Sequence, residues 1–171
     1  GYFAGALLMP YDSFLASAKE LRYDLEILQN RFGVSFEQVC HRLTTLQRSG
    51  SRGVPFFFIR VDNAGNISKR LSGAGFHFAR FGGTCPRWVI HDAFGAPGTV
   101  HTQQARMPDG SAFLTIARTV DPVLAGHRGR QPRLAVAVGC DIGQAKNLVY
   151  GEAMDLKNKQ SATDVGVSCR V

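Results

Sequence analysis

Residues suited to binding chemistry crowd into Phe76-His77-Phe78-Ala79-Arg80-Phe81-Gly82-Gly83-Thr84-Cys85-Pro86-Arg87-Trp88. The guanidinium forks of Arg80 and Arg87 match phosphate oxygens. Gly82 and Gly83, just ahead of a short helix expected over Pro86–Phe94, could turn backbone N–H groups toward the same phosphate. Phe76, Phe78, Phe81 and Trp88 could stack a purine or line a pocket, or alternate members could simply face a core. Arg60, Lys69 and Arg70 add cations on a neighbouring hairpin. A phosphate-bearing, aromatic ligand fits this set.

Charge points the same way. Residues 41–133 carry 13 Lys/Arg against 4 Asp/Glu, whereas 1–40 carry 3 against 5 and 134–171 carry 4 against 4. The net charge of +7 therefore comes from the middle of the chain. Clustered positive charge attracts polyanions, either phosphorylated cofactors or nucleic acid.

Other chemistries have weaker support. His41, His77, His91, His101 and His127 lack metal-ligand spacing, which argues against zinc hydrolysis. Cys85 precedes Pro86 with Arg80, Arg87 and His91 nearby, which could favour a thiolate, although a buried small hydrophobe is the plainer reading. Cys40, Cys85, Cys140 and Cys169 are far apart in sequence, unlike a disulfide scaffold. With 44% apolar and 19% charged residues, no membrane-spanning run and no leader peptide, a folded cytoplasmic protein is expected. Both ends of the chain look cut from a longer polypeptide.

The elements that must position these groups fall into two parts, a helical segment over 1–50 and a ligand-sensing α+β domain over 51–171. The first nine residues read as the end of a helix stopped at Pro10. Asp12 or Ser13 is expected to cap a second helix, and Tyr23–Phe32 repeats its apolar spacing up to Gly33. Ser35 with Gln38 forms a capping box for a further helix with the stripe Phe36, Val39, Cys40, Leu43, Leu46. Segment 24–47 thus has the outline of a helix-turn-helix, yet Phe36, Glu37 and Gln38 poorly suit a DNA-reading start. After a flexible hinge at Arg48–Gly53, hairpins are expected over 54–71 and 100–120, with Pro108-Asp109-Gly110 turning the second. A strand over 133–140 and a helix over 142–154 complete an antiparallel sheet with flanking helices, of PAS or GAF outline.

Phe3–Pro10 (FAGALLMP) and Arg31–Leu46 (RFGVSFEQVCHRLTTL) resemble the tail of the region after the zinc-binding helix in ImmA/IrrE-type proteins. From about Gly53, the segment Arg80–Trp88, the Met107-Pro108-Asp109-Gly110 turn, Ala117-Arg118 and Gly139-Cys140-Asp141 resemble the C-terminal domain of short-chain fatty acyl transcriptional regulators. The resemblance implies a non-enzymatic, effector-binding and dimerising part of a bacterial transcription factor that senses a short-chain acyl-CoA. By residue type and locality, the 3′-phosphate and pyrophosphate of such a ligand are expected on Arg60, Arg80 and Arg87, with Lys69 and Arg70, and its adenine or acyl end on the Phe and Trp side chains. The resemblance also implies a homodimer, DNA contacts through an N-terminal domain outside this chain, and no membrane. In that family a cysteine-rich tail able to hold an iron–sulfur cluster or zinc follows. Cys169 resembles its first member, with Cys85 and Cys140 as incomplete further candidates. The alternatives are a nucleic-acid-binding module using the basic face and segment 24–47, or a cysteine-dependent acyl-thioester enzyme.

Overall fold

Residues 57–61, 113–117 and 135–140 send apolar side chains to both sides of an extended backbone, which requires a sheet covered on both faces. A computed structural model of the chain describes residues 2–73, 75–76, 78, 84–120, 133–152, 154–156 and 161–166. Its strands are β1 (Phe57–Asp62), β2 (Ile67–Leu71), β3 (His101–Arg106), β4 (Ala112–Thr119), β5 (Leu134–Asp141) and β6 (Thr163–Asp164). They form one sheet in the order β2-β1-β5-β4-β3-β6. Every pairing is antiparallel except β3 with the two-residue β6, a strand that periodicity does not reveal. The fold is α+β, as expected.

Four helices cover one face: α1 (Tyr2–Leu8), α2 (Tyr11–Glu20), α3 (Leu25–Phe32) and α4 (Phe36–Leu43). Pro10 stands at the head of α2, which has no side-chain cap, so Asp12 and Ser13 lie inside the helix. Asp24 caps α3 by accepting the Glu26 and Ile27 N–H groups, and Gly33 ends it in the left-handed conformation at φ 61°. The Ser35–Gln38 capping box forms as expected. Among the described residues no helix is long and apolar enough to cross a membrane.

Strand alternation divides the interior in two. Phe58, Leu114, Ile116, Val136, Val138 and Cys140 pack with Phe14, Leu28, Phe36, Val39 and Leu43 of the helices in one cluster. Phe57, Ile59, Val61, Ala105, Phe113, Ala117, Ala135 and Ala137 point the other way, under Phe76, Trp88, Val89 and Ile90. Gly139 has to be glycine here. A Cβ would stand 2.4 Å from the Phe57 ring and 2.6 Å from the Leu114 carbonyl.

Three expectations are corrected. The hinge at 48–53 is stapled: the Tyr11 hydroxyl donates to the Ser51 carbonyl at 2.7 Å and accepts the Arg48 N–H at 2.9 Å, and the Arg48 guanidinium lies 4.0 Å from the Tyr11 ring centre. Pro86–Phe94 forms turns and a 3₁₀ turn at Asp92–Phe94, because the Gln103 side chain takes the Val89 N–H and the Arg87 carbonyl. The final helix is replaced by 3₁₀ turns at Ile142–Asn147 and Val149–Gly151. Leu148 between them is extended, and the Val149 N–H goes to the Arg22 carbonyl at 2.9 Å.

Candidate functional site

Among the described residues, those that the sequence singles out fall into separate groups. Arg60 and Lys69 pair across β1 and β2 and share the helix-facing side. The Arg60 guanidinium donates to Glu37 of α4 at 2.8 Å and to Ser68 at 2.9 Å, and the Lys69 ammonium sits 5.8 Å from the Phe58 ring centre. Lys69 also lines a cleft of about 430 Å³ with Met9, Glu37, His41 and Leu71. Arg70 pairs with Ile59, placing it on the opposite face. Arg87 lies exposed beside β3, whose Gln103 donates to its carbonyl. β2, which carries Arg70, and β3, beside which Arg87 lies, are four strands apart in the sheet.

Phe76, Phe78 and Trp88 do come together, against one another. Phe76 stacks on Trp88 with ring centres 5.3 Å apart at 11°, and Phe57, Phe78 and Phe113 close around Phe76. Trp88 is 3% exposed, and its indole N–H donates to Thr115 at 3.2 Å. Arg80, Phe81, Gly82, Gly83 and Cys169 lie outside the described residues.

The cysteine readings fare similarly. Cys85 is buried beneath the aromatic face and Cys140 beneath the helices, so the sheet stands between them and they do not fit as ligands of one metal ion or cluster. Among the described residues no group of three or more metal-ligating side chains forms. Burial, with Asp141 adding to it, pushes the Cys140 thiol up to about 12. His91, the imidazole nearest Cys85 in sequence, bonds instead to the Thr84 hydroxyl at 2.7 Å. In segment 24–47, the second helix buries Phe36, Val39, Cys40 and Leu43, and Arg42 donates to the Met9 carbonyl at 2.9 Å. It is a core helix rather than a free reading surface.

A different place gathers unengaged positive charge. Antiparallel pairing puts the start of β1 beside the end of β5. There Lys19, Arg22, Tyr23, Arg52, Gly53, Val54, Pro55, Gln144, Lys146 and Asn147 line a cleft of about 500 Å³. Four of these carry positive charge and none is a carboxylate. Among the described residues Lys19, Arg52 and Lys146 make no ion pair, while Arg22 pairs with the exposed Glu152. Such a concentration in a concave site is the electrostatic form of an anion receptor.

The backbone at this cleft is unusual. Arg22 and Tyr23 both have positive φ, 49° and 60°, a left-handed conformation costly to side chains with a Cβ. Two hydrogen bonds hold it: the Tyr23 N–H reaches the Ala18 carbonyl at 2.7 Å, and the Tyr23 hydroxyl accepts the Val54 N–H at 3.0 Å. Burial pushes the Tyr23 phenol up. The reversal aims the Arg22 guanidinium at the Lys146 and Leu148 carbonyls, 3.1 and 3.3 Å away. In the sequence, the only trace of this site is the three-residue, glycine-free span between the end of α2 and the Asp24 cap.

Comparison with known proteins gives consistent matches. A family model described as short-chain fatty acyl coenzyme A regulator, C-terminal, matches residues 45–171, and an IrrE N-terminal-like domain model matches residues 1–44. The chain is 48% identical over 170 residues to the HTH-type transcriptional regulator PrpR of Mycobacterium tuberculosis, covering 99% of the chain and 35% of that protein. It is 51% identical to the propionyl-CoA carboxylase regulator of Cereibacter sphaeroides, over 99% of the chain and 36% of that protein. The HTH-type transcriptional regulator RamB of M. tuberculosis is 46% identical, with 99% and 36% covered. A solved structure of a Mycobacterium tuberculosis transcriptional regulator superposes with a TM-score of 0.93 at 49% identity, covering 98% of this chain and 51% of that one. The chain thus spans about a third of the length of its curated relatives.

Proposed function

The chain belongs to the short-chain fatty acyl coenzyme A regulators, and on that footing we propose that it is the effector-sensing part of a bacterial, cytoplasmic transcriptional regulator that binds a short-chain acyl-CoA. The cleft at the β1–β5 end receives the ligand's phosphates. The observation that carries this reading is the set of three cations there, Lys19, Arg52 and Lys146, without carboxylate partners among the described residues. A pyrophosphate and a 3′-phosphate supply the negative charge such a set lacks.

The cleft draws residues from both matched segments: Lys19, Arg22 and Tyr23 from 1–44, and Arg52–Pro55 with Gln144–Asn147 from 45–171. A ligand seated here bridges the two. Any preference for one arrangement of that joint becomes a shift between regulator states. DNA contacts belong to a part of the regulator outside this chain, and the intact protein acts as a homodimer on paired half-sites. Supporting a non-enzymatic role, the relatives named above are regulators, and Cys40, Cys85 and Cys140 are buried.

Calorimetric titration with propionyl-CoA, acetyl-CoA and free CoA tests this. One saturable site, weakened by Arg52→Gln, supports the reading. Absence of heat with all three ligands overturns it.

A further inference from the structure

Among the described residues, Arg22 alone of the four cations in the basic cleft is engaged by a carboxylate, which comes from the same segment its guanidinium already grips. Arg22 donates through Nη2 to the Lys146 and Leu148 carbonyls, its own carbonyl takes the Val149 N–H, and its Nη1 pairs with Glu152. Both partners are open to solvent, with side chains 41% and 61% exposed. The carboxylate is therefore held by charge rather than by packing, in a position that a phosphate oxygen could take. Guanidinium binds carboxylate and phosphate with the same fork geometry, so the two acids compete for one cation.

Resting on the acyl-CoA reading above, we propose that Glu152 is a tethered competitor for the ligand's phosphate, setting the affinity of the cleft. The stretch just ahead of Glu152 is anchored: the Tyr150 hydroxyl accepts the Leu25 N–H at 3.0 Å, and Gly151 is buried. Glu152 follows the Val149–Gly151 turn, and Met154 and Leu156 only partly bury themselves against the helix-facing core. Asp155 holds Ser161 through its carbonyl at 3.3 Å, and Ser161 in turn reaches Gln104 of β3 at 3.2 Å. When phosphate displaces Glu152, the carboxylate is released while the backbone bonds from Arg22 to Lys146, Leu148 and Val149 stay in place.

The test compares wild type, Glu152→Gln and Asp109→Asn in calorimetry with propionyl-CoA and with inorganic pyrophosphate. Asp109 lies in the turn between β3 and β4, and its variant makes the same change in net charge without touching Arg22. An exposed ion pair is a weak competitor, so Glu152→Gln should bind about two- to fivefold more tightly, with Asp109→Asn unchanged. Equal affinities in wild type and Glu152→Gln, with wild type still binding, overturn the competitor while leaving the acyl-CoA reading intact. Absence of binding in all three proteins overturns both.

Discussion

The aromatic face of the sheet and the basic cleft at its end hold the two kinds of side chain a nucleotide ligand calls for, and the fold treats them oppositely. Phe76 and Trp88 are stacked at 11° and sealed by Phe57 and Phe113, each at most 5% exposed. Their faces are used up on one another. In the cleft, Lys19, Arg52 and Lys146 hold their charges toward solvent without a carboxylate partner among the described residues. Residue type is thus a poor guide to a binding site, and availability after folding is a better one. Rings satisfy each other readily through burial, whereas like charges gathered in one place can be satisfied only by something that is not there yet.

The contrast is sharpest when the closed face is opened. Trp88→Ala should cost about 3–5 kcal/mol in urea unfolding while leaving propionyl-CoA affinity within about twofold for the folded fraction. Lost binding at unchanged stability would return the site to the aromatic face. In the cleft the pattern should invert. The double substitution Arg52→Gln and Lys146→Gln is expected to weaken propionyl-CoA about tenfold, equivalent to ~1.4 kcal/mol, and to move the urea midpoint by the equivalent of less than about 0.5 kcal/mol. Ser35→Ala supplies a reference remote from both regions. Loss of its capping bond should cost about 1 kcal/mol of stability with ligand affinity unchanged, so a coupled loss there would mean that affinity simply tracks folding.

The smallest effect expected is one of pH at the margin of the closed face. Burial holds His91 below its ordinary 6.5, only partly offset by Asp92. The unfolded chain therefore binds a proton more readily than the folded one, and stability falls as pH drops below 6.5 toward the depressed folded value. Urea midpoints from pH 7.5 down to 5.5 should decline in wild type and decline less in His91→Gln. Identical slopes would show that His91 is not held neutral by the fold. His41, lowered by burial and by Lys69 with Glu37 opposing, adds slope in the same direction.

How much was legible in the sequence depended on how far each determinant reached. The Ser35–Gln38 box and both hairpin turns are settled within a few residues, and they formed where spacing put them. The regular helices expected over 86–94 and 142–154 failed because side chain and backbone partners distant in sequence, Gln103 and Arg22, capture their N–H groups. Charge averaged along the chain does not register the cleft for the same reason. Of the four cations in the cleft, only Arg52 comes from the strongly basic middle; Lys19 and Arg22 come from the net-acidic first 40 residues, and Lys146 from the balanced end. A local average cannot register a patch assembled from three separated segments.

The shared core beneath the helices bears on how such regulators can be recombined. Phe14, Leu28 and Val39 from the IrrE-like segment and Phe58, Leu114 and Val136 from the sheet belong to one apolar cluster. A crossover at residue 44, where the two families meet, would strip each half of the surface that shields it from water. Inheritance must therefore move the two halves together, and a chimera built to lend this sensor to another regulator has to carry its helices along as part of the graft.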